Sequence, residues 1–184
     1  MEFGKSSDEV MFKKWSDAFK DPFVFFFTKW VEKTSMVELM QNRNYFLGIY
    51  QSQKYKIWRG YAFENLAHNH ILELKDALGI GAVFTTSHYW RYVPKNTEEQ
   101  GVQIDLLIIR ADGVANIIEC KFTNKPFVIT KKYAYELENK ATVFNEQTNH
   151  KFMTTVVMLT LNGVKENEYS GYLLGDDMLI GDIV

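Results

Sequence analysis

The chain has 184 residues, enough for one domain of ordinary size with an appendage. Apolar residues make up 46% and aromatics 15%, which supports a buried core and excludes global disorder. A net charge of −2 excludes a molecule-wide positive field for nucleic acid and leaves any such contact to a local patch. Cys120 is the single cysteine, so no disulfide forms within the chain, which fits a reducing compartment. The longest apolar run, Pro22 to Phe27, is far short of the roughly 20 residues of a membrane span. Met1 to Lys14 is polar and charged, unlike a signal peptide, so a cytoplasmic protein without membrane association is expected.

Residues 1–52 differ in character from residues 53–184, and the two stretches are taken as an aromatic-rich segment with its connector and a main domain. Val10, Phe12, Trp15 and Phe19 recur with helical spacing until Asp21-Pro22 interrupts them. Phe23, Phe25, Phe26, Phe27 and Trp30 form a cluster too apolar to stand in water. The plainer expectation is that it packs on the main domain, and the sharper one is a docking surface. Gln41 to Gln53 is polar and serves as a connector.

Ile57 to Leu78 is expected as one amphipathic helix. Phe63, Ala67, Ile71, Leu74 and Leu78 form its apolar stripe, with Glu64 at the stripe's edge. Gly79-Ile80-Gly81 ends it. His68 and His70, two residues apart, face different directions and do not form a metal pair. Ala82 to Val93 has strand composition, and Pro94 to Gly101 is a polar loop.

Val102 to Thr123 follows as two β-rich runs around Asp112-Gly113, a hairpin signal. Asp105 stands in the first run and Glu119 in the second, where plain core strands would carry Val or Ile. Alternation along a strand puts Glu119 and Lys121 on one face. A two-residue loop would set Asp105 opposite Cys120, with the acids on opposite faces. A three-residue loop, Ala111-Asp112-Gly113 with Gly113 left-handed, pairs Arg110 with Val114 and sets Asp105 opposite Glu119. Cross-strand neighbours have Cβ atoms about 4.5–5.5 Å apart, so the two carboxylates then need a cation or a proton between them. The three-residue loop and a divalent metal are expected.

After the break at Asn124-Lys125-Pro126, Thr130 can cap a helix from Lys131 to about Asn149, with Leu137, Ala141 and Phe144 on its apolar side. Lys151 to Leu161 is a strong strand, and Tyr169 to Ile183 adds an edge strand or a short helix. Helices before and after a mixed sheet imply an α/β/α layering. There is no phosphate-binding Gly-x-x-x-x-Gly-Lys-Ser/Thr loop, no nucleophile elbow and no zinc-type spacing among the four histidines.

Asp105, Glu119 and the carbonyl of Cys120 are hard oxygen donors suited to Mg²⁺ or Mn²⁺, with Glu64 as an auxiliary ligand directly or through water. A metal held there would polarise a phosphate oxygen and activate a water, with Lys121 orienting the water or neutralising a phosphate. Lys125, Lys131, Lys132, Lys140 and Lys151 follow the motif. Most belong to a solvated face, while Lys140 is placed for a phosphate contact. Trp90 and Tyr92 have the chemistry to stack on bases, although strand aromatics are more often core.

The arrangement resembles the PD-(D/E)xK, or restriction-endonuclease-like, nuclease superfamily, whose core is an α-β-β-β-α-β unit. The family motifs map onto Glu64 in the first helix, Asp105 on the second strand and Glu119-Cys120-Lys121 on the third, with Ile104 where the eponymous proline would stand. Gly60-Tyr-Ala-Phe-Glu-Asn-Leu, Gln103-Ile-Asp-Leu-Leu-Ile and Ile118-Glu-Cys-Lys-Phe are similar to the C-terminal domain of a group of prokaryotic P-loop ATPases. That similarity covers about Lys54 to Val184. The resemblance implies a Mg²⁺- or Mn²⁺-dependent nuclease, DNA as substrate, and nucleic-acid contacts at Gln103 and Lys140. It also implies an ATPase module in trans or outside this chain. The alternative it leaves open is an inactive nuclease fold that binds or assembles with such an ATPase.

Overall fold

A computed structural model describes residues 22–94, 100–179 and 181. The expected helix around Val10 to Phe19 and most of the polar loop after Pro94 lie outside those residues. The chain divides into two compact units, Met1–Asn69 and His70–Val184.

In the first unit, helix α1 (Pro22–Phe26) continues into a π-helical turn (Phe27–Val31). Helices α2 (Met36–Gln41), α3 (Tyr45–Gln51) and α4 (Gln53–Asn69) follow. Ser35 starts α2 with a reciprocal cap, its hydroxyl accepting from the Glu38 N–H while Glu38 accepts from the Ser35 N–H. The expected connector over Gln41 to Gln53 is therefore largely helical. The aromatic cluster closes on α4: the Trp58 ring lies 5.3 Å from Phe25, 5.9 Å from Phe26, 6.0 Å from Trp30 and 5.4 Å from Tyr55. This packing corrects the boundary expected at residue 52. Trp58 and Tyr55 tie α4 to the aromatics before it, so the helix groups with the N-terminal unit. Phe23 and Phe27 remain exposed.

The single helix expected over Ile57 to Leu78 is two. It breaks at His70, whose backbone is non-helical (φ −112°, ψ 41°), and α5 (Ile71–Ala77) begins the second unit. The stop after it is as expected, with Gly79 at φ +67° and the Ile80 N–H donating back to the Lys75 carbonyl at 2.8 Å.

The second unit is built on a five-stranded mixed sheet in the order β1 (Thr85–Tyr92), β2 (Val102–Arg110), β3 (Val114–Lys121), β4 (Met153–Thr160), β5 (Leu174–Leu179). The first two pairings are antiparallel and the last two parallel. Helix α6 (Lys131–Gln147) makes the crossover from β3 to β4, and Thr130 caps it by accepting from the Tyr133 N–H. α6 packs against the sheet through two clusters. Phe144 meets Leu107, Ala115 and Ile117, while Ala134 and Leu137 meet Val156 and Met158. The undecided C-terminal stretch is both alternatives, a short helix α7 (Glu168–Leu173) capped by Asn167 and then edge strand β5. The fold class is thus mixed α/β.

Candidate active site

The β2–β3 hairpin fixes the site. Arg110 ends β2, Val114 starts β3, and Ala111-Asp112-Gly113 forms a three-residue loop with Gly113 at φ +86°. Its N–H donates to the Arg110 carbonyl at 3.2 Å, and the Arg110 guanidinium grips the Asp112 carboxylate, holding the Asp112 pKa below its usual range. The ladder pairs Leu106 with Ile118 and Ile109 with Ala115. One step further in that register, Asp105 faces Glu119. The odd loop is present.

The two acids are held differently. Asp105 is buried and accepts the Cys120 backbone N–H on Oδ2 at 3.0 Å, doing at the end of the ladder what a strand carbonyl would do. Glu119 is fully buried at 0% exposure. Its Oε1 accepts from Lys140 Nζ at 2.5 Å. Its Oε2 accepts from the Tyr133 hydroxyl at 3.3 Å and lies 3.7 Å from Lys121 Nζ. Lys121 also stands over the Tyr133 ring, 5.2 Å from its centroid. Two carboxylates, two ammonium groups and one phenol thus form a cluster with nearly balanced charge.

Electrostatics follow from that burial. Loss of solvent, then the Asp105 charge, pushes the Glu119 pKa up, against the pull of Lys140 and Lys121. Burial and the charges of Glu119 and Asp105 push the Tyr133 hydroxyl far above its ordinary range, so it keeps its proton and acts as a donor. The lysine side chains keep 29% (Lys121) and 19% (Lys140) of their surface and form the wet rim of a dry carboxylate.

The residues singled out in the sequence divide as follows. Asp105, Glu119, Cys120 and Lys121 come together. Lys140 joins them from α6 as a partner of Glu119. Glu64 is half-buried on α4, in the first unit. Gln103 is exposed on β2, paired with Arg91 of β1. Trp90 packs edge-on against Phe144 at 5.3 Å and is core rather than a stacking platform. Among the described residues no three His, Cys, Asp or Glu side chains form a group that could hold a metal. Also among them, no helix is long and apolar enough to cross a membrane.

Tyr133 was not singled out in the sequence. Its signal is the spacing Tyr133, Leu137, Lys140, Phe144, one stripe of α6 facing the sheet. A lysine and a tyrosine in an otherwise apolar stripe require an acid opposite, and Glu119 is that acid.

No curated protein matches the chain. Among solved structures, the crystal structure of a protein of unknown function, AF1548, is similar at 23% identity and a TM-score of 0.38. The match covers 56% of this chain and 52% of that one, so the chain spans about half the length of its solved relative. The DUF234 family, described as archaea bacterial proteins of unknown function, matches residues 26–136, a stretch that includes Asp105, Glu119, Lys121 and Tyr133, and the chain belongs to that family.

Proposed function

We propose that the second unit is a metal-dependent phosphodiesterase of PD-(D/E)xK type acting on nucleic acid, with DNA as the expected substrate and the cytoplasm as its location. The observation that carries this reading is the acid pair itself. Glu119, with no solvent exposure, stands in register with Asp105 and beside Lys121, a combination that a purely structural strand has no need of. The element order α-β-β-β-α-β, from α5 to β4, agrees with the nuclease core, and three-layer packing is part of the proposal.

The donor set fits a hard divalent cation. Mg²⁺ is usually held by one or two carboxylates and completes its shell with water and substrate oxygens, so a third acidic side chain is not required. Asp105 and Glu119 would supply the carboxylates and Cys120 its main-chain carbonyl. When bound, the ion would polarise a phosphate oxygen and lower the pKa of a coordinated water. The protein's own groups do the rest. Lys121, partly exposed at the rim, orients the attacking water or neutralises a phosphate oxygen. Tyr133 holds Glu119 in one rotamer by donating to Oε2. Gln103, exposed two residues before Asp105, is available to the nucleic acid.

The test is cleavage of supercoiled, single-stranded and RNA substrates with Mg²⁺ or Mn²⁺. Wild type is expected to cut at least one substrate. Glu119→Ala should lower the rate by at least about a hundredfold, the scale on which a charge-stabilising group acts. Equal cutting by the variant would overturn the assignment.

A second reading is favoured by one observation, the occupation of both Glu119 oxygens by Lys140, Tyr133 and Lys121. In it the cluster is a permanently neutralised ion network, and the domain serves as a binding or assembly module for a P-loop ATPase. That reading predicts no cleavage, no rise in melting temperature with Mn²⁺ and a stable complex with the ATPase. Specific Mn²⁺ binding would instead raise apparent stability by mass action.

A further inference from the structure

Both Glu119 oxygens have partners, but unequally. Among the described residues, Tyr133 and Lys121 share Oε2, at 3.3 and 3.7 Å, whereas Lys140 alone holds Oε1, at 2.5 Å. Releasing Oε1 therefore takes one movement, and releasing Oε2 takes two. The Lys140 ammonium sits on a flexible four-carbon stem and keeps 19% side-chain exposure, so it has a route to solvent that Glu119 lacks. An ammonium and a divalent ion on the same carboxylate oxygen would repel each other across a poorly screened gap.

We infer that Lys140 is a built-in competitor for the divalent cation: its ammonium occupies the Glu119 oxygen the ion requires, and the ion enters by displacing it. The inference rests on the metal-dependent reading above. Lys140 thereby keeps the acid pair neutral in the metal-free protein and sets the cation concentration at which the site loads. It is a positioning residue for Glu119, acting through that carboxylate. Once displaced, its ammonium is left at the rim, free to meet a substrate phosphate.

The experiment is calorimetric titration of the full chain with MnCl₂ at neutral pH, comparing wild type with Lys140→Gln and Lys140→Arg. Lys140→Gln keeps an N–H donor near Oε1 but removes the charge, and is expected to bind Mn²⁺ at least about tenfold more tightly. Lys140→Arg keeps the charge and is expected to bind no more tightly than wild type. Circular dichroism checks the fold, and Lys140→Met, with the same expected gain, replaces the glutamine variant if that one fails to fold. Equal or weaker binding by the neutral variant, with wild type still binding, overturns the competition and leaves the metal reading standing. Binding by none of the proteins overturns both, whereas binding by the neutral variant alone supports both.

Discussion

Glu119 has given up all contact with water, and its chemistry follows from that loss. Burial and the Asp105 charge raise its pKa, while Lys140 and Lys121 oppose the shift without cancelling it. The folded chain therefore holds the Glu119 proton to higher pH than the unfolded chain does. From about pH 4.5 upward the unfolded state releases that proton first, so this residue's contribution to stability falls with rising pH until the raised folded pKa is passed. Glu119→Gln removes the titration. The stability of wild type relative to Glu119→Gln should thus decline as pH rises above about 4.5, measured as the difference between their urea midpoints. A flat difference would mean that the lysines fully offset the burial. The acid was legible in the sequence because a Glu in an apolar β-run is conspicuous. The pairing with Lys140 was not legible, because the acid lies 21 residues away in another element and helical spacing alone does not name a tertiary neighbour.

At the scale of elements, the hairpin was the most legible part of the fold. Asp112-Gly113 between β-branched runs gave the turn, and the need to bring two acids to one face gave its odd length. Gly113 bears that geometry at φ +86°, and an added Cβ there would meet nothing within 4 Å. Gly113→Ala should therefore cost only the backbone penalty of the left-handed region, about 1–2 kcal/mol, read from the urea midpoint. The loop keeps its length in that variant, so the Mn²⁺ binding proposed above should be unaffected by it. A larger loss of stability, or loss of Mn²⁺ binding, would mean that the turn does more than set the register. Thr130 and Gly79 were legible for the same local reason, a cap and a stop with specific residue chemistry. The break at His70 was not, because neither Gly nor Pro marks it and the apolar spacing runs through it. Helices α2 and α3, six and seven residues long, are too short for periodicity to reveal.

For the molecule as a whole, the division after Asn69 was hidden because it follows aromatic packing and not composition. Trp58 belongs with the residues before it, and only the rings of Phe25, Phe26, Trp30 and Tyr55 around it say so. The sheet of the second unit has the simplest possible order, each strand lying beside its sequence neighbours. That order carries a kinetic meaning. A hairpin closes in about 1–10 μs, whereas the parallel partner must wait for the crossover helix. Asp105 and Glu119 therefore meet while Lys140 is still far away, and the nascent hairpin carries a repulsion that the finished protein has neutralised. Two like charges about 5 Å apart in water are worth about 0.8 kcal/mol, or roughly a fourfold change in rate. Stopped-flow refolding of Asp105→Asn at neutral pH should accordingly outpace wild type by about that factor, and an unchanged rate would place the pairing after the rate-limiting step. The paired carboxylates then act as a brake on the domain's assembly, released when α6 arrives with its lysine.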